Sequence, residues 1–119
     1  TPGIIVDSLA FKPDFLKKRG ADVKKIVAGW NEAVVFASKN PKEADAVMAK
    51  FTNQKPEEFT KEKTGVRFYG SKENKEYFGT KEKPGLLYTV TQRAADLWFE
   101  LKFIKTKPKA ADLIDGSFL

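Results

Sequence analysis

The spacing of apolar positions changes character along the chain. Residues Ile4-Ile5-Val6-Asp7-Ser8-Leu9-Ala10-Phe11 hold six apolar side chains in eight, β-branched at the start and bounded by Pro2-Gly3 and Lys12-Pro13. Such a run between turn formers predicts a buried strand over 3–11. Alternation would set Ile5, Asp7 and Leu9 on one face and Ile4, Val6 and Ser8 on the other. From Pro13 onward the period is helical. Pro13-Asp14-Phe15-Leu16 opens a short helix that should stop at Gly20. Beyond it Val23, Ile26, Val27, Trp30, Ala33, Val34 and Ala37 recur at three- and four-residue spacing, opposite Asp22, Lys24, Lys25, Asn31 and Glu32. This is the clearest amphipathic helix, and its stripe assigns Trp30 to a core.

Asn40-Pro41-Lys42-Glu43 reads as the next helix start: Asn as cap, Pro at the first helical position and Glu three residues after the cap. Ala44, Val47, Met48 and Phe51 form its buried stripe. Lys55-Pro56-Glu57-Glu58-Phe59 starts a short helix with two acids at its positive end. Between Gly65 and Gly70, Val66-Arg67-Phe68-Tyr69 should be extended, Ser71 to Phe78 one or two helical turns, and Gly79 to Lys83 a charged loop. Pro84 opens the last long helix, striped by Leu87, Val90, Ala94, Leu97, Trp98, Leu101 and Ile104, again with Trp98 in the core. The tail from Pro108 has one turn at most before Phe118-Leu119. The fold class is therefore mostly α with one or two short strands, and 1–119 forms a single region. A lone strand cannot satisfy its backbone. Either residues 66–69 pair with the opening run, or its neighbours lie outside these residues, or copies of the chain associate or exchange strands.

Composition narrows the chemistry. The 119 residues contain no Cys and no His, which excludes disulfides, Cys/His zinc sites, Ser-His-Asp triads and Cys-His nucleophiles. No enzyme activity and no cofactor is expected. The formal charge of +6 invites a nucleic-acid reading, but of 22 basic residues only Arg19, Arg67 and Arg93 are Arg. The lysines alternate with acids, as in Lys72-Glu73-Asn74-Lys75-Glu76, which is the pattern of a solvated face rather than a phosphate-binding one. No nucleic-acid partner is expected. No run reaches eighteen apolar residues, and Thr1 onward lacks the basic-then-apolar order of a signal peptide, as in a mature or excised chain.

In order and spacing, several segments resemble the C-terminal third of the periplasmic substrate-binding proteins of ABC importers, in the nitrate, sulfonate, taurine and thiamine-precursor group. They are Pro2 to Phe11, Asp14-Phe15-Leu16, the Trp30 helix, Asn40-Pro41-Lys42-Glu43-Ala44, Lys55-Pro56-Glu57-Glu58-Phe59, Thr91-Gln92-Arg93-Ala94-Ala95-Asp96, and Ala111-Asp112-Leu113-Ile114-Asp115-Gly116-Ser117-Phe118-Leu119. The resemblance implies a C-terminal fragment of a two-lobed α/β, type II periplasmic binding fold. Its strand 3–11 would return to the first lobe and the following helices would clothe that lobe. It implies transport rather than catalysis: capture of a small solute, delivery to an ABC permease, and a periplasmic or extracytoplasmic location, with any membrane anchor in an N-terminal segment outside these residues. Asp7 is the ligand-binding candidate, because in such receptors an acid on the hinge-side strand can meet an amino group of the solute. The competing assignment is a carboxylate that accepts backbone hydrogen bonds or pairs with Lys.

Other groups have plainer readings. Arg67 beside Phe68 and Tyr69 could form an anion site, or could simply stack. Glu57-Glu58 and Asp112/Asp115 sit at helix starts or in the tail and need no catalytic role. The rival functions are a small basic helical interaction module, using an exposed apolar patch, and a nucleic-acid-binding domain.

Overall fold

Proline sets the helix starts. The computed structural model describes residues 5–80 and 82–119, and in it Pro13, Pro41 and Pro56 each occupy the first turn of a helix. The elements are α1 (Pro13–Lys39), α2 (Pro41–Phe51), α3 (Pro56–Glu62) with a 3-10 turn (Lys63–Gly65), α4 (Ser71–Phe78), α5 (Leu86–Glu100) and α6 (Ala110–Leu113). The two helices anticipated before and after Gly20 are one, kinked at Arg19 (φ −129°, ψ 24°). Gly20 does not take the left-handed conformation that would have ended the first. The Phe118 ring instead lies 3.5 Å from where a Cβ on Gly20 would stand, so the chain's end folds back onto α1.

Asn40 stands at the N-cap position of α2, its carbonyl accepting from the Ala44 N–H at 3.0 Å, but its side chain does not cap that helix. Its N–H (2.8 Å) and Nδ2 (3.3 Å) both donate to the Phe36 carbonyl, so it closes the C-terminus of α1 instead. At α3 and α4 a glutamate three residues after the cap reaches back: Lys55 N–H donates to Glu58 (3.4 Å) and Gly70 N–H to Glu73 (3.2 Å). α2 ends with Asn53 left-handed (φ 55°) and Gln54 N–H donating to the Ala49 carbonyl at 2.9 Å. α5 ends the same way, with Lys102 at φ 60° and Phe103 N–H donating to Trp98 at 2.9 Å.

Pro84 does not open α5. It forms an isolated antiparallel bridge with Gly79, and Gly85 N–H donates to the Phe78 carbonyl at 2.9 Å. The bridge leaves no room for side chains. A Cβ on Gly79 (φ 67°) would stand 2.3 Å from the Lys83 carbonyl oxygen, and one on Gly85 2.1 Å from that of Tyr77.

Among the described residues that bridge is the whole of the β structure, which corrects two expectations. Residues 5–11 join no strand, and residues 66–69 do not pair with them; residues 3 and 4 of the anticipated strand lie outside the described set. Ile5 is 96% exposed and Leu9 is exposed with it. The physical cause is a missing partner: among the described residues no other extended segment forms a ladder with this one.

Packing runs from neighbour to neighbour: α1 against α2, α2 against α3, α4 against α5, and α5 against α6. The buried apolar residues are few and mostly small: Val23, Ala44, Ala49, Tyr77, Ala95 and Ala110. Neither tryptophan is in a core, contrary to the periodicity reading; Trp30 is 42% and Trp98 55% exposed. The chain presents 9820 Å² to solvent, where a closed monomer of its mass would present about 6,500 Å². Its radius of gyration, 16.7 Å, likewise exceeds the roughly 13.5 Å of a compact domain this long.

Candidate functional site

The sequence candidates do not converge. Asp7 lies exposed on the segment ahead of α1, and among the described residues no hydrogen bond or ion pair engages it. Arg67, the possible anion receptor, is some way along the chain in the 66–70 segment and already committed. Its guanidinium is 3.6 Å from Glu73 and lies over the Tyr69 ring, 5.4 Å from the centroid.

That segment is the most densely knit part of the surface. It crosses α1 at Trp30 and Val34: Trp30 Nε1 donates to the Tyr69 carbonyl at 2.7 Å, and the Phe68 ring meets the Trp30 indole edge-on at 6.0 Å. Asn74 Nδ2 donates to the same carbonyl at 3.0 Å, and Tyr69 meets Tyr77 edge-on at 5.6 Å. Gly70 lets the backbone lie close to Val34 Cγ1, 3.5 Å from the position of a Cβ. Burial, with Tyr69 beside it, raises the Tyr77 phenol above its ordinary 10.0. Glu73 is held below its usual 4.5, first by its own backbone N–H and further by the Gly70 N–H and the Arg67 charge. The cluster works as a strap that fastens the loop to α1, and its hydrogen-bonding groups are used internally.

Asp45, not foreseen from the sequence, is the one buried charge among the described residues. Thr60 donates to its carboxylate at 2.7 Å and the Lys63 ammonium donates to the other oxygen, clamping α2 onto α3 and the 3-10 turn. Those two hydrogen bonds, Lys63 first, hold its pKa below 3.8. A second clamp ties the tail to α5. Gln92 donates to Asp96 (2.9 Å) and accepts from the Ala110 N–H (2.9 Å), while Lys107 pairs with Asp96 at 3.0 Å. The only hint of either in the sequence was Lys following Asp at a distance, which is too common to read.

Glu58 caps α3, and Asp115 accepts from the Ser117 N–H at 3.0 Å. Among the described residues no group of three or more His, Cys, Asp or Glu gathers to hold a metal ion. An open groove of about 550 Å³ runs between α5 and the tail, lined by Tyr88, Thr89, Gln92, Arg93 and Lys109. Among the described residues no helix is long and apolar enough to cross a membrane.

The outward face of α5 is the most distinctive surface. Its own-chain side carries Gln92 and the buried Ala95; of the stripe assigned to a core, Ala94, Leu97, Trp98 and Leu101 are exposed, whereas Leu87, Val90 and Ile104 are half-buried. No protein-family model, curated protein or solved structure matches the chain.

Proposed function

We propose that this chain is the C-terminal part of a two-lobed solute-binding protein of an ABC importer, in the nitrate, sulfonate and thiamine-precursor group. The observation that supports this reading most is the surface excess of roughly 3,300 Å² over a closed monomer, with Leu97, Trp98 and Leu101 of the α5 stripe turned outward. Helices that clothe a lobe made by other residues have this property. The ordered sequence motifs agree with it. So does the opening segment, apolar yet without a ladder partner.

In this reading the remaining lobe residues would complete the cleft, and the protein would bind its solute by closing two lobes rather than by chemistry. Asp7 would supply a carboxylate for an amino group of the solute. It would act outside the cytoplasmic membrane and hand its cargo to a permease. The test is calorimetric titration of the product of the complete reading frame with taurine, nitrate and an aminopyrimidine. Saturable binding of one of them, weakened by Asp7→Asn for an amine-bearing solute, supports the reading. No binding of any, together with tight and steeply salt-dependent retention of duplex DNA, overturns it in favour of the nucleic-acid class.

A second reading, a small helical interaction module, draws on the same outward face of α5.

A further inference from the structure

The outward stripe of α5 is self-complementary, and we infer that the 119-residue chain pairs with a second copy of itself through it, α5 against α5, antiparallel about a twofold axis near Leu97. This concerns the chain by itself and does not rest on the transport reading.

Geometry comes first. At about 100° per residue, Leu97 and Leu101 lie some 40° apart on the helix, whereas Ala95 faces about 160° away from Leu97. One side of α5 is thus used by its own chain and the opposite side is free. Leu97, Trp98 and Leu101, which are 52, 55 and 54% exposed, leave roughly 300 Å² of side chain in water. A standard interface needs about 800 Å² per partner, and the flanking Arg93, Ala94 and Glu100 would supply much of the remainder.

Charge favours a second copy in one orientation. Arg93 and Glu100 are both exposed, on the same flank of the stripe, and neither has an ion-pair partner among the described residues. In an antiparallel helix pair, residues on one flank face the same flank of the other copy. With the axis between positions 96 and 97, Arg93 of each copy meets Glu100 of its mate, giving two symmetric pairs. A parallel pairing in register would not bring these opposite charges together. The isologous arrangement is closed, so association stops at two copies.

The experiment is sedimentation equilibrium across a dilution series, with circular dichroism confirming that each variant stays helical. The wild-type chain is expected at twice its 13.4 kDa mass when concentrated, dissociating on dilution. Leu97→Glu should be monomeric throughout. Arg93→Glu and Glu100→Arg should each weaken association by roughly tenfold, and the two together should restore it. Because the chain has no cysteine, Leu97→Cys offers an independent readout: it should form an interchain disulfide on mild oxidation, whereas Lys24→Cys on the exposed side of α1 should not. A wild-type chain monomeric at every concentration overturns the proposal. So do open-ended assemblies, a dimer indifferent to Leu97→Glu, or a charge-reversed double variant no tighter than the single ones.

Discussion

Phe51→Ala and Val23→Ala separate the structure from the periodicity reading of the same residues. Both positions belong to apolar stripes. Phe51 is nevertheless 87% exposed at the end of α2, and Val23 is 2% exposed on the inner side of α1. The covered part of Phe51 is on the order of 30 Å², worth about 0.7 kcal/mol, and Ala regains about 0.5 kcal/mol of helix propensity. The net cost should be close to zero. Val23→Ala removes two buried methyl equivalents, about 1.6 kcal/mol of transfer energy, with a cavity contribution that brings the total to about 2 kcal/mol. The assay is urea unfolding followed by far-ultraviolet circular dichroism, at a dilution where the chain is monomeric. Val23→Ala should lower the midpoint clearly and Phe51→Ala hardly at all. A core phenylalanine would cost about 3–5 kcal/mol, so the reverse ranking, with Phe51→Ala the more damaging, would refute the placement of both residues.

Three more outcomes follow from the backbone and the clamps. Gly79→Ala should destabilise by about 2 kcal/mol or more in the same unfolding assay, since φ is 67° and the new Cβ would strike the Lys83 carbonyl; a neutral result contradicts the bridge. Lys102→Gly should stabilise by roughly 1 kcal/mol, because it relieves a left-handed non-glycine residue at the end of α5, and a loss of stability would contradict that conformation. Asp45 is held below its ordinary 3.8 by Lys63 and Thr60, so the stability it contributes is full above that value and drains away as pH falls through the lowered folded pKa. Asp45→Asn should flatten this acid limb in a pH series of unfolding midpoints, and an unchanged limb counts against the clamp.

Local structure was legible in the sequence because its causes are local. Pro13, Pro41 and Pro56 mark helix starts through their fixed φ and missing N–H. The kink at Arg19 and the diversion of Asn40 to the previous helix were not legible, since both depend on how α1 continues. The larger gap concerns orientation. Period 3.6 tells which side of α5 is apolar, but it cannot tell whether the chain holds anything to cover that side. Leu97, Trp98 and Leu101 were assigned inward by pattern and face outward because Gln92 and Ala95 occupy the side that the tail and α4 can reach. The opening run shows the same limit. Its apolar residues read as a strand, yet Ile5 and Leu9 find no ladder among the described residues. The clamp at Asp45 joins residues 15 and 18 positions apart, a separation at which sequence carries no geometric signal.

The central claim is that the apolar stripe of α5 is covered by something other than its own chain, and acrylamide quenching of Trp98 tests it most directly. With Trp30→Phe leaving a single tryptophan, and helicity checked by circular dichroism, the account predicts red-shifted and readily quenched emission from the dilute chain. The signal should shift to the blue and become protected as concentration rises. Blue, protected emission at every dilution would place Trp98 in a closed core and contradict the account.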